Sequence, residues 1–284
     1  MNPTIPSLLL SLRALYRLGR VGLHLVYGLL IIALVHPRLA QSRRRYIRQR
    51  WSRDLLAILG VRLISGGIAA QGARMLVANH ISWLDIIVIN AVEPVVFVSK
   101  NDLLGWPLIG TLSRHSETLF LQRGSHRSAH AASQSIVEIL AAGTSVALFP
   151  EGTTTDGSLV LPFRGALLQG ALHAKAPVQP VVLGYSTRRG ATSRAAAYCG
   201  DTSLIESLWS IAAAPSLCVS MTWLAPLPAI GQDRRALARQ CETLIRATMS
   251  QPHGAATEGS TEPCLQEDLI PVSATLAESA VSAA

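Results

Sequence analysis

The chain has 284 residues, 49% of them hydrophobic and 15% charged, with a mean hydropathy of +0.34. Soluble domains carry roughly 25% charged residues, so this composition excludes a disordered protein and points to a globular one that associates with a membrane. The net charge of +8 does not mark a nucleic-acid binder, because aromatics make up only 5% of the chain and do not interleave with its basic segment as base stacking requires.

That basic segment comes first: residues 1–53 hold ten arginines, no lysine and no acidic side chain. Arg13, Arg17 and Arg20 precede the apolar run 21–35, VGLHLVYGLLIIALV, and Arg38, Arg43, Arg44, Arg45, Arg48, Arg50 and Arg53 follow it. Fifteen helical residues extend about 22 Å, short of the roughly 30 Å hydrocarbon layer, so a helix lying partly in one leaflet stands beside a full span. Residues 8–18, broken by Arg13 and Arg17, read as a separate stretch suited to the interface. The arginines that follow the run predict a cytoplasmic face, each attracting anionic headgroups by about 1 kcal/mol. A secretory signal is the competing reading, set back by those arginines and by the lack of an A-x-A site after Val35; a buried helix of a soluble core is the plainer one.

Strands are predicted over residues 75–78, 95–99, 119–122, 146–149, 178–183 and 218–223, from short β-branched runs between turn signals. Helical spacing covers 128–142 and 237–249, where Leu237, Cys241, Leu244, Ile245 and Met249 share a face. The alternation predicts an α/β fold, a mixed sheet flanked by helices, with an N-terminal membrane-associated helix. Residues 1–54 are expected to anchor the chain, 55–250 to form its globular domain, and 251–284, with five acidic residues and no Lys or Arg, to be a disordered tail. Cys199, Cys218, Cys241 and Cys264 form no C-x-x-C pair and read as reduced thiols.

Four segments carry chemistry. Asn79-His80-Ile81-Ser82-Trp83-Leu84-Asp85 follows the predicted strand 75–78, with Ser82 expected as helix N-cap and Asp85 in the first turn. Helical side chains lean toward the N-terminus, which aims the Asp85 carboxylate back at His80. A carboxylate on one ring nitrogen fixes the tautomer and leaves the other to take a proton, as in a general-base dyad. A histidine satisfied beside a helix cap has the same spacing. Ser82 offers a covalent alternative as nucleophile.

Phe149-Pro150-Glu151-Gly152-Thr153 follows strand 146–149, at the strand end that faces the ligand crevice of an open sheet. Glu151 there can orient an acceptor or a neighbouring basic group, and Gly152 permits close approach to the backbone; an ordinary turn reads the same way. Phe120-Leu121-Gln122-Arg123 ends a strand in a guanidinium suited to phosphate. Residues 178–183 read as a buried strand without a chemical group. No nucleophile elbow, P-loop, dinucleotide fingerprint or metal-spaced His/Cys set occurs.

In this order the four segments resemble the glycerolipid acyltransferase family that includes 1-acylglycerol-3-phosphate acyltransferases, over residues 70–185. The resemblance implies that His80 and Asp85 form the catalytic dyad, that Arg123, Glu151, Gly152 and Thr153 bind a phosphate-bearing acceptor, and that residues 178–183 line the site. It likewise places Lys100 and the Trp106-Pro107-Leu108-Ile109-Gly110 stretch near the acyl chain. It implies transfer from acyl-CoA or acyl carrier protein to a lysophospholipid, lysophosphatidic acid first, with another lysolipid such as lyso-ornithine lipid as the alternative; a non-enzymatic membrane-binding protein that uses the basic N-terminus is the distant reading, against which the intact dyad argues. The implied site is at the cell membrane, with the catalytic domain on the cytoplasmic face and neither cofactor, metal nor nucleic acid. Thr154 and Thr155, and the compressed Phe163-Arg164-Gly165, depart from the family pattern and bear on the headgroup.

Overall fold

A computed structural model describes residues 4–100, 118–121 and 126–250. The chain opens with α1 (Thr4–Leu30), which runs on through a π turn (Ile31–Val35) and a short 3-10 turn (His36–Arg38). Then come α2 (Gln41–Leu59), β1 (Val61–Gly66), β2 (Met75–Ala78), α3 (Leu84–Val92), β3 (Val96–Lys100) and β4 (Leu119–Leu121). The remainder is α4 (His126–Ala141), β5 (Val146–Leu148), α5 (Leu168–Ala174), β6 (Val178–Thr187), α6 (Leu204–Ala213), β7 (Leu217–Trp223) and α7 (Arg234–Met249).

Among the described residues the sheet has seven strands in the order β1-β7-β6-β2-β5-β3-β4. Every neighbouring pair is parallel except β6 with β7, so the sheet is mixed. Alternation along β2 sorts its side chains between two cores. Leu76 and Ala78 join Leu84, Phe97, Leu183 and Met221 on one face, while Met75 and Val77 join Ile136, Leu148, Leu168, Leu237 and Cys241 on the other. Burial on both faces is why β2, β5 and most of β6 read as unbroken apolar runs.

The predicted strands recur within a few residues of their expected ends, β6 running on to Thr187. Strand β1 was not expected: it lies at the sheet edge, only Val61 of it is buried, and so it carries no apolar run. Gln179, read as part of a strand without chemistry, is fully buried and fully bonded. Its Oε1 accepts from Ala70 N–H (3.0 Å) and Arg74 Nε (2.7 Å), and its Nε2 donates to the Ile68 and Leu224 carbonyls. Burial pushes the Cys241 thiol up to about 12, an inert core position.

The N-terminal segment differs from expectation in one respect: residues 8–18 and 21–35 form one continuous helix. Arg17, which was expected to interrupt it, turns inward and donates to the carbonyls of Ala212 (3.0 Å) and Ala214 (2.9 Å), the open C-terminal end of α6. Ala14, Val21 and His24 are buried, and His24 stacks on Trp51 of α2, its Nε2 3.0 Å from the Trp51 carbonyl oxygen. The opposite side exposes Leu12, Leu15, Leu23, Val26 and Leu30. Residues 9–38 are the one described stretch long and apolar enough to cross a membrane.

Candidate active site

The end of β2 builds the site. Pairing of β2 with β6 stops at Ala78 with Val181, and the Asn79 side chain continues it as a false rung: its Nδ2 donates to the Leu183 carbonyl (2.9 Å) and its Oδ1 accepts from Leu183 N–H (2.8 Å). The chain then leaves the sheet with His80 at the carboxyl end of a central strand. Its ring is 18% exposed and stacks on Phe149, with centroids 3.9 Å apart and planes 10° from parallel.

Asp85, wholly buried in the first turn of α3, receives the loop. Its Oδ2 accepts from His80 Nδ1 (2.9 Å) and from the backbone N–H groups of Ile81 (2.7 Å) and Ser82 (2.9 Å). Its Oδ1 accepts the Tyr185 hydroxyl at 2.7 Å. A carboxylate held by so many donors is an acceptor, which puts the imidazole proton on Nδ1 and leaves Nε2 with the lone pair. The expected N-cap shifts by one residue: Trp83 occupies that position without a side-chain cap, and Ser82 Oγ accepts from Leu84 N–H at 3.2 Å. Asp85 itself satisfies the loop amides that Ser82 was expected to precede. Trp83 Nε1 donates to Ser207 Oγ of α6 (3.0 Å), tying the loop to that helix.

Glu151 stands just beyond β5 and is buried. Its Oε1 accepts His80 N–H (2.7 Å) and its Oε2 accepts Leu161 N–H (2.8 Å). Burial raises its pKa, against the opposing pull of those two amides and of His80. Thr155 N–H donates to the His80 carbonyl (2.9 Å), so the turn after β5 holds the His80 backbone from both sides. Gly152 has φ +73°, a left-handed turn position, and a side chain there would meet Arg164 at 3.4 Å. Thr153 is exposed at the same turn, while Thr154 Oγ1 donates to the Tyr198 carbonyl.

The structure therefore gathers His80, Asp85, Glu151 and Gly152 at one end of β2 and β5. Lys100 ends β3, and Arg123 and residues 106–110 lie outside the described residues. Sequence reasoning passed over Tyr185, two residues beyond the predicted strand 178–183, and gave Asn79 and Phe149 no role. A polar ring in an apolar strand was the signal for Tyr185. Among the described residues no three His, Cys, Asp or Glu side chains cluster as a metal site.

An open α/β sheet with a buried carboxylate holding an imidazole at a strand's carboxyl end is the framework of an enzyme that moves a proton during group transfer. The family model for acyltransferases matches residues 64–184. A lyso-ornithine lipid O-acyltransferase of Pseudomonas aeruginosa is 36% identical over 84% of this chain and 93% of that protein. A 1-acyl-sn-glycerol-3-phosphate acyltransferase of Neisseria meningitidis serogroup B is 33% identical over 74% of this chain and 83% of its own. The crystal structure of the 1-acyl-sn-glycerophosphate acyltransferase PlsC of Thermotoga maritima shares the fold, with a TM-score of 0.63 over 86% of this chain and 96% of that one at 20% identity. The chain belongs to the acyltransferase family, and it is an enzyme of that class.

Proposed function

We propose that the enzyme transfers an acyl group from a thioester, acyl-CoA or acyl carrier protein, to the free hydroxyl of a lysophospholipid, with lysophosphatidic acid as the first acceptor and phosphatidic acid as product. The observation that carries this reading is the bond from His80 Nδ1 to the buried Asp85. His80 Nε2 takes the hydroxyl proton as the oxygen attacks the thioester carbon. Asp85 stabilises the imidazolium, which then protonates the departing thiolate, so one proton crosses from alcohol to thiol. Ser82 is wholly buried with its Oγ bonded to Leu84 N–H, which favours this single step over an acyl-enzyme.

Glu151 acts here on the backbone of His80, and the family resemblance implies that Glu151, Gly152 and Thr153 bind the acceptor together with Arg123 and that Lys100 lies near the acyl chain. The acyl thioester enters as a substrate beside the lysolipid acceptor, and the transfer so written uses no cofactor. A lyso-ornithine lipid is the second reading, favoured by the Pseudomonas aeruginosa relative.

The site must meet a water-soluble donor carrier and a lipid acceptor, and residues 1–54 are suited to bring it to the cytoplasmic face of the cell membrane. Because one side of α1 packs on the body and the other is apolar and exposed, α1 is read as lying in one leaflet. The body over 55–250 is the catalytic domain.

The test is transfer by purified protein across a panel of lysolipids with each donor. His80→Ala and Asp85→Ala are expected to lose roughly 10²–10⁴-fold in kcat/KM while remaining folded. Near-normal activity in either variant overturns the dyad, and a stable acyl group on Ser82 without acceptor overturns the single step.

A further inference from the structure

Tyr185 is buried in β6, a hundred residues from the carboxylate it touches, and belongs to none of the segments that identify the family. A buried tyrosine generally finds a partner for its hydroxyl, and a backbone carbonyl would serve. Here the partner is Asp85 Oδ1, the oxygen that His80 does not use, at 2.7 Å.

The three donors on Oδ2 all belong to the loop that Asp85 holds, the His80 ring and the amides of Ile81 and Ser82, so none of them ties the carboxylate to the sheet. The Tyr185 phenol on Oδ1 supplies that tie from β6. We propose that Tyr185 is a positioning residue of the acyl transfer, pinning the Asp85 carboxylate so that Oδ2 stays aligned with His80 Nδ1 while the imidazolium forms. This rests on the reading of His80 as general base. Burial first, then the charge and hydrogen bond of Asp85, hold the phenol well above its ordinary pKa, so it remains a donor throughout the working range. Tyr185 meets neither substrate in this assignment and acts only through Asp85.

The test uses the full chain with three replacements of nearly constant volume: Tyr185→Phe, and 4-methylphenylalanine or 4-aminophenylalanine placed at 185. The first two remove the donor; the third restores one. Losing a hydrogen bond to a charged group predicts a fall in kcat of roughly ten- to a hundred-fold for Tyr185→Phe and for 4-methylphenylalanine, with both substrate KM values within about two-fold. 4-Aminophenylalanine is expected to recover most of the loss. In an Asp85→Asn background, Tyr185→Phe is expected to cost less than about two-fold more, because the partner it serves is already disabled.

Carbethoxylation of His80, read by peptide mass spectrometry, is expected to slow in Tyr185→Phe. That readout does not depend on having chosen the right acceptor, so it separates failure of this inference from failure of the proposed function. Wild-type kcat in Tyr185→Phe, equal activity for the 4-methyl and 4-amino forms, an additive loss with Asp85→Asn, or unchanged carbethoxylation would each overturn the assignment.

Discussion

Glu151 spends both carboxylate oxygens on backbone amides, one of them the amide of His80, inside a site that already buries Asp85. Burial lifts its folded pKa above the unfolded value. For such a group the stabilising contribution is complete below the unfolded pKa and is lost as pH rises through the folded one, so the ionised Glu151 of neutral pH costs stability relative to acid. Glu151→Gln removes that titration. The difference in thermal midpoint, wild type minus variant, should fall as pH rises from the ordinary glutamate range through the raised value, then level off; a flat difference would show that Glu151 does not titrate there. The amide accepts from only one of the two N–H groups, so kcat should also fall, by roughly ten-fold for one lost charged hydrogen bond. His80 and Asp85 were legible in the sequence because five residues separate them and a helix start dictates which way the carboxylate leans. The Glu151 contact crosses 71 positions and the Tyr185 contact 100, where no local spacing speaks.

Helix α5 packs on α4 through Gly170, where a Cβ would come within 2.6 Å of Ile136 Cγ2 and 2.8 Å of its Cβ. Ile136 is β-branched and wholly buried, so it has no free end to swing aside. Gly170→Ala should therefore destabilise the fold by about 1–3 kcal/mol through overpacking, read by denaturant titration, with little change in KM. The interior strands announced themselves in the sequence through apolar runs because helices cover both their faces. Edge strand β1 and helix α2 did not: α2 mixes six arginines and an aspartate with a narrow buried stripe of Leu55, Leu56, Ile58 and Leu59, which masks its periodicity. The continuity of α1 was hidden for the related reason that Arg17 looks like an interruption until its carbonyl partners on α6 are known.

The exposed side of α1 sets how the whole enzyme meets a lipid surface. Because Ala14, Val21 and His24 are core residues, deleting the helix would unfold its neighbours as well as unanchor them. Substitution on the outer side is the cleaner experiment. Leu15→Ser, Leu23→Ser, Val26→Ser and Leu30→Ser together remove apolar burial that contributes about 1.5–3 kcal/mol per side chain. They should move the protein from sedimented vesicles to the supernatant while sparing activity on detergent-dispersed acceptor; full retention on vesicles would place the membrane contact elsewhere on the body. Several arginines are tethered to the body, Arg45 donating to Thr144 Oγ1 and Arg53 to the Ala91 carbonyl (2.7 Å), so added salt should release less protein than ten freely moving arginines would predict.

The Arg17 bond to Ala214 joins positions 197 apart, and edge strand β1 finds its partner only in β7. During synthesis at roughly 5–20 residues per second, α1 is made on the order of ten to forty seconds before the carbonyls that will receive Arg17 leave the ribosome. Through that interval the part of its core side that α6 will cover, around Arg17, is as bare as its outer side, and α2 alone is at hand to cover the turn around His24. The bilayer is the nearest apolar phase, so the helix is expected to reach lipid first and the body to assemble against it. Ribosome-bound chains halted near residue 200 should already sediment with vesicles yet be cleaved by protease within α1 and α2 if vesicles are left out, and chains extended past Trp223 should resist.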